Sequence, residues 1–411
     1  MKGVYLTALK DLARYKESGA YWQDAVKYNP DKFLNNRLKI LSDQLFKSLK
    51  LQGGYKQEQK QKDFETLLAN LFDQIKKPIS ISLFEKDWKK TRYNNSSYSN
   101  IKELLSVLNK EKFIEMKKGY YIEEGSRMTR IAATDKLLDY FPEYNLGVIY
   151  KPTELVILKD SKEKLKEYKD TAETWRIRTI LTRLNLVNSK ADIRYQDYKL
   201  NAFLLAIFKE KFTWYGRLHT RGFKHYQGLS GEEREEITIN GDSIVELDYS
   251  GLHPNLLYAE EGIQCRRDPY SVIDRRPELR PFLKEILLCM LNAKDETTAE
   301  KAANNWLRLN SSEREILVKI GITRARTLID KFKIAHEPIA KYFCKGKDTG
   351  MRIMNKDSKI ALDVVNYFAK QNIPILCIHD SFIVQEQYRD KLYEVMKRTY
   401  HKHTGFDIKI K

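Results

Sequence analysis

Residues 237–262 read ITINGDSIVELDYSGLHPNLLYAEEG. Asn240-Gly241 is a tight-turn dipeptide. An apolar strand follows over Ile244–Leu247 and ends in Asp248. Pro254 suits the first turn of a helix that starts at about His253 or Pro254. An acid at the end of a buried strand needs a cation or a strong hydrogen-bond set to offset its desolvation. A second acid is placed in the same way. Residues 372–386, NIPILCIHDSFIVQE, read as strand, tight turn, strand, with His379-Asp380-Ser381 at the tip. The apolar runs on either side are those of central strands. Two carboxylates on neighbouring strand ends can bridge a pair of Mg²⁺ ions roughly 3.5–4 Å apart and support an in-line phosphoryl displacement.

Between the two acids lies RPELRPFLKEILLCMLNA, residues 276–293. Arg280, Lys284, Leu288 and Asn292 recur every four residues, so they stay on one side of a helix. Arg and Lys on its first two turns can hold a triphosphate, or they can form an ordinary surface pattern with Glu285 as a neighbour. Upstream, residues 214–236 crowd Arg217, His219, Arg221, Lys224 and His225 among Trp214, Tyr215, Phe223 and Tyr226. Such a basic-aromatic surface suits nucleic acid.

The whole composition agrees with that chemistry. The 411 residues carry 74 Lys and Arg against 56 Asp and Glu, a net charge of +18, and so favour polyanionic partners. The excess is +12 over residues 1–200 and only +6 over 201–411, so the second half keeps its acids. A 42% hydrophobic content excludes a broadly disordered chain, and the length suggests two or three domains. The four cysteines, Cys265, Cys289, Cys344 and Cys377, form no CxxC pair, which argues against a zinc knuckle and suits a reducing, cytoplasmic setting. No secretory signal is evident in MKGVYLTALKDLARYKESGA, and no apolar run approaches the ~18 residues of a membrane span.

The first half has a different pattern. Leu34, Leu38, Leu41 and Leu45 mark a short helix, and LQGGYKQEQKQK, residues 51–62, reads as a linker or an exposed helix end. DFETLLANLFDQI gathers Phe64, Leu67, Leu68, Leu71 and Phe72 on one face before Pro78. A second short helix is expected in ISLFEKDWKK. A third, IKELLSVLNK, would be capped by Asn100 and Glu103. KFIEM and YYIEE, joined by KKGY, would then form a hairpin. Three helices followed by a hairpin is the order of a winged helix-turn-helix, whose third helix enters the major groove. Lys102, Lys110, Lys112, Lys117 and Lys118 are its candidate phosphate contacts. The alternative is a small helical domain that binds a protein through the same face. Residues 155–210, rich in charge and in helix formers, read as two or three helices.

Taken in series, the second-half motifs resemble the palm and fingers of family A DNA polymerases and of their relatives, the single-subunit phage-type RNA polymerases. Gly216-Arg217-Leu218 followed by Gln227 resembles the TGR segment and the Gln of the QNIP stretch. Asp248-Tyr249-Ser250 resembles the DYS of motif A, Arg280 and Lys284 the RxxxK helix of motif B, and His379-Asp380 the HD of motif C. The resemblance implies that Asp248 and Asp380 coordinate two Mg²⁺, with Mn²⁺ as a substitute and the Tyr249 backbone carbonyl as a third ligand. It implies that Arg280 and Lys284 bind the incoming triphosphate, that Arg217 and Gln227 touch primer or template, and that His379 sits beside the primer terminus. Arg221 and Lys224 belong to the same nucleic-acid surface. The chain departs from the family at three points. Asn292-Ala293 stands where the family has Tyr-Gly, His253 stands where the ribose gate is Glu or Gly, and Arg280 follows Asp248 by only 32 residues. Asn292 and His253 would therefore line the nucleotide site, and both dNTP and rNTP remain candidate substrates. No acidic cluster in residues 1–200 resembles a 3′–5′ exonuclease.

The expected architecture is α+β. A polymerase-like palm, built on a small antiparallel sheet with reduced helical fingers (about 262–350), would occupy residues 212–411. It would be preceded by a helical region with linker (1–62), a winged-helix-like domain (63–135) and a helical connector with a thumb as one reading (136–211). The expected activity is template-directed strand extension from DNA primer-template and nucleoside triphosphates, as a DNA polymerase or primase. A single-subunit RNA polymerase is one alternative, and a non-catalytic DNA-binding replication initiator or regulator is another. A two-metal nuclease would need further acids close to either aspartate. The layout suits a replication protein of bacterial, mobile-element or viral origin.

Overall fold

The computed structural model describes residues 20–411 apart from 54–56, 74, 76, 121–126, 142–147, 152 and 222–224. Two compact units emerge: the described residues of Met1–Glu154 with Arg221–Phe223, and those of Leu155–Thr220 with Lys224–Lys411. Among the described residues no helix is long and apolar enough to cross a membrane.

In the first unit the chain runs β1 (Val26–Lys27), β2 (Lys32–Leu34), α1 (Asn36–Ser48), α2 (Gln57–Asp73), β3 (Ile79–Ile81), α3 (Tyr98–Lys110), β4 (Ile114–Lys117), β5 (Thr129–Ala133), α4 (Asp135–Tyr140) and β6 (Val148–Tyr150). One sheet has the order β1-β3-β5-β4, and β2 pairs with β6. The apolar faces expected of α1 and α2 are buried: Leu38, Leu45, Phe64, Leu67, Leu68 and Leu71 pack with Ile101, Leu104, Ile131 and Phe141. Each such side chain contributes roughly 1.5–3 kcal/mol by leaving water.

Several expectations for this unit are corrected. The helix expected over residues 81–90 is instead the last residue of strand β3 and a single 3₁₀ turn, Glu85–Trp88, because Ile79 and Ile81 alternate with Ser80 and pair with β5. Asn100 and Glu103 form no capping box. The Asn100 amide instead donates to Asp63 Oδ2 (2.8 Å), and this buried carboxylate also takes Ser97 N (3.1 Å) and Gln59 Nε2 (2.9 Å). The helix begins at Tyr98 with Ser97 at its N-cap, so Asn100 stands inside the first turn, where its amide serves the buried acid. The hairpin partner of β4 is β5 rather than YYIEE, most of which lies outside the described residues. Of the two readings of residues 51–62, the exposed helix end fits residues 57–62, which open α2.

In the second unit, β7 (Val156–Lys159), α5 (Ala172–Lys190), β8 (Ile193–Tyr195), β9 (Tyr198–Lys199) and β10 (Leu205–Lys209) replace the expected run of helices over 155–210. β10, LAIFK, is buried over its first four residues, pairs in parallel with β7 and antiparallel with β11 (Lys211–His219), and is therefore a central strand inside a charged stretch. The chain continues through a short helix α6 (Gly231–Glu235), β12 (Ile237–Ile239), β13 (Ile244–Asp248), α7 (Leu252–Glu260), α8 (Arg280–Asn292), α9 (Glu296–Leu309), α10 (Ser311–Lys319), α11 (Ala325–Ala335), α12 (Lys347–Lys370), β14 (Leu376–Ile378), β15 (Ser381–Gln385) and α13 (Arg389–Thr404). The Asn240-Gly241 turn forms as read, with φ of 55° and 86°. β13, β15 and β14 make a small antiparallel sheet in the order β13-β15-β14. Its inner residues Leu247, Phe382, Ile383 and Val384 join one core with Leu256, Ile286, Val364 and Phe368 of the surrounding helices.

Candidate active site

The ladder β13–β15 brings the two acids together. Asp248 stands opposite Ser381, and the Tyr249 amide donates to the carbonyl of Asp380 (3.3 Å). Asp380 occupies the two-residue turn between β14 and β15, with His379 before it in the left-handed region at φ 59°. The Asp248 carboxyl is pushed up to about 7, first by burial and then by the charge of Asp380, against the pull of Lys284. The Asp380 carboxyl is also raised, by burial and by the charge of Asp357, with His253 and Arg217 pulling the other way.

Asp357 and Glu246 are the acids that sequence reasoning missed. Asp357, on α12, accepts from Arg217 Nε (3.0 Å) and Nη2 (2.7 Å). Glu246, two residues before Asp248 on β13, takes the two prongs of Arg234 (2.8 and 3.0 Å) and the Ser381 hydroxyl. Each of these acids is matched by an arginine. Among the described residues no group of three or more His, Cys, Asp or Glu side chains is placed to hold a metal ion. Glu246 had a readable signal, since residues two apart on a strand share a face. Asp357 had none beyond an amphipathic helix.

The other expected residues distribute as follows. Lys284 lies close enough to Asp248 to lower its pKa. Arg280 is bound by Asp268 through Nε (2.6 Å) and Nη2 (3.2 Å) and lies 5.2 Å from the centre of the Tyr270 ring. Asn292, at the end of α8, is exposed, and its amide turns back to the Leu288 carbonyl (2.8 Å). His253 Nε2 lies 3.0 Å from Arg217 Nη2 and 3.4 Å from Asp357 Oδ2. The Tyr249 ring is buried, and its hydroxyl donates to Met396 O (2.6 Å), which leaves only backbone atoms for a cation. His379 packs edge-on against His219, its Nδ1 has no hydrogen-bond partner among the described residues, and burial lowers its pKa to about 4, so it is neutral near pH 7. Gln227 uses its amide on backbone: Oε1 accepts from Thr220 N (2.8 Å), and Nε2 donates to Leu218 O (3.1 Å) and Cys377 O (2.7 Å). Arg221 is half-buried and groups with the first unit. Lys224 lies outside the described residues. In the first unit Lys102, Lys110, Lys112, Lys117 and Lys118 are all exposed on or beside α3 and β4.

No family model and no curated protein matches the chain. Among solved structures, the POL domain of Pol1 from M. smegmatis, in complex with DNA primer-template and dNTP, is similar over 91% of this chain and 65% of that chain, at 13% identity and a TM-score of 0.28. This chain thus spans less than two thirds of that neighbour's length.

Proposed function

We propose that the second unit is a template-directed nucleotidyltransferase that lengthens a nucleic-acid strand from nucleoside triphosphates, and that the first unit docks the enzyme on DNA. The observation that carries the reading is the meeting of Asp248 and Asp380 at adjacent strand ends, where each carboxylate is held away from its ordinary ionisation. Two desolvated carboxylates that repel each other form a hard-oxygen donor set that a divalent cation relieves, and this suits Mg²⁺ or Mn²⁺. When bound, a pair of such ions would neutralise the charge developing on the attacking and leaving oxygens. The motif series resembling family A polymerases supports the same assignment.

In the reaction, a strand-end 3′-hydroxyl oxygen bonds to the α-phosphorus of the triphosphate. The α–β phosphoanhydride breaks, pyrophosphate leaves, and the hydroxyl proton passes to water. Lys284, already beside Asp248, is positioned to meet the phosphates. Arg280 must exchange Asp268 for a phosphate oxygen to join it. DNA polymerase or primase action with dNTPs is the first form of the proposal, and rNTP use the second.

In the first unit the order helix, strand, 3₁₀ turn, helix, strand, strand, with β5 between β3 and β4, supports the winged-helix reading. The exposed lysines of α3 and β4 supply the phosphate contacts. A second reading, a non-catalytic DNA-binding replication initiator, is favoured by the occupied state of Arg280. Extension of a labelled primer-template with Mg²⁺ and either dNTPs or rNTPs separates the two. Extension by the wild type that disappears in Asp380→Ala is the expected result. Binding without extension supports the initiator, and shortening of the strand supports a nuclease.

A further inference from the structure

Behind the two aspartates a strand and a helix meet in a tight joint. β11 is irregular: its register with β10 shifts on both sides of the Phe208–Tyr215 pair, and Tyr215 and Gly216 take φ of 65° and 82°. A Cβ on Gly216 would stand 2.7 Å from Ser358 Oγ and 2.8 Å from Phe208 Cε1, so glycine is what lets the strand approach α12. The helix fastens the strand just before this contact. Asn355 Nδ2 donates to Phe212 O (3.1 Å), and Ser358 Oγ donates to Tyr215 O (3.3 Å). The next strand residue but one, Arg217, is thereby delivered to Asp357, whose side chain is 1% exposed.

Asp357 is unusual in what it does not do. Its Oδ2 takes both guanidinium bonds, with His253 Nε2 at 3.4 Å, while its Oδ1 is buried with no hydrogen-bond partner among the described residues. A half-satisfied buried carboxylate costs stability, so packing alone does not account for it. Its neighbourhood suggests an electrostatic role. Geometry places the cluster beside Asp380: His219, two residues after Arg217 on β11, packs edge-on against His379 with ring centres 5.7 Å apart, and His379 adjoins Asp380 in the turn. The charges of Arg217 and His253 act on Asp380 in one direction and that of Asp357 in the other. Without Asp357, Arg217 would be a fixed, half-desolvated positive charge beside a carboxylate assigned to hold a cation.

We propose that Asp357 is a positioning residue that pairs with Arg217 and cancels its charge, so that the Asp380 carboxylate stays available to a divalent cation. The inference rests on the reading of Asp248 and Asp380 as a cation site. It predicts a coupling that mere support of the fold would not produce: removing the acid harms cation binding, and removing its arginine as well restores it.

The test is Mn²⁺ binding to the full chain at pH 8, read from the EPR signal of free Mn²⁺, with Asp380→Asn as the blank. Asp357→Asn is expected to bind roughly tenfold more weakly than wild type, the scale of one uncompensated charge in a half-buried setting. The double variant Arg217→Gln/Asp357→Asn is expected to return to within about threefold of wild type, because the local net charge is restored. Wild-type affinity in Asp357→Asn overturns the inference alone, and so does a double variant as weak as the single one, since the loss is then structural. Wild type that binds no better than Asp380→Asn removes the cation site itself, and the inference with it.

Discussion

Replacing Asp248 by Asn should make the metal-free protein more stable above neutral pH and leave it unchanged in acid. In the folded chain the Asp248 carboxyl titrates at about 7, while in the unfolded chain it returns to its ordinary value of 3.8. Below the lower value both states hold the proton and the folded state has its full stability. As pH rises through the interval the unfolded chain ionises freely and the folded chain does not, so stability falls until the folded carboxyl has also ionised. The interval is about three pH units, which at ~1.36 kcal/mol per unit sets an upper bound of about 4 kcal/mol. Relaxation of the site makes a loss of roughly 2 kcal/mol the expected outcome. Asn has a similar shape and no charge to desolvate, so the variant is spared this loss. Urea unfolding in EDTA at pH 4, 6 and 8, compared between wild type and Asp248→Asn, reads the difference, in which titrating groups far from Asp248 cancel and relief of Asp380 in the variant is included. The difference should be near zero at pH 4, grow through pH 6 and be largest at pH 8. Adding Mg²⁺ at pH 8 should stabilise wild type and narrow the gap. A difference that does not change with pH, or a variant less stable than wild type at pH 8 in EDTA, refutes the reasoning.

Three further outcomes follow from the same geometry. Gly216→Ala should cost about 2–3 kcal/mol of stability in urea unfolding, since the added methyl meets Ser358 and Phe208 at a left-handed backbone, and a neutral result would undo the account of the β11–α12 joint. Changing Lys102, Lys110, Lys117 and Lys118 together to Gln should weaken duplex-DNA binding and flatten its dependence on log salt by ~0.9 for each phosphate no longer neutralised, and an unchanged slope would place the DNA surface elsewhere. Asp268→Asn should tighten binding of a fluorescent nucleoside triphosphate several-fold by releasing Arg280, whereas weaker binding would mean that Asp268 aims the arginine rather than occupying it.

Much of the site was legible in the sequence because it depends on local chain geometry. The strand ending in Asp248, the two-residue turn holding His379 and Asp380, and the helix carrying Arg280 and Lys284 are all short-range patterns of apolar runs, turn dipeptides and helical spacing. The face of α2 built on Phe64, Leu67, Leu68 and Leu71 is another. The misreadings arose where long-range packing overrode a local preference. β10 is a buried strand because β7 and β11 flank it, and Asn100 lies inside the first turn of a helix that starts at Tyr98, with its amide on the buried Asp63.

The amino-acid sequence alone determined which residues stand at strand ends and which share a helix face, because those depend on neighbours a few positions away. Only the tertiary structure decided which charges face one another. Arg217 and Asp357 are 140 residues apart in the chain, and nothing near either one marks the pairing. They meet because a glycine lets β11 touch α12, and the energy of a buried ion pair depends on distance and desolvation, which no periodicity records.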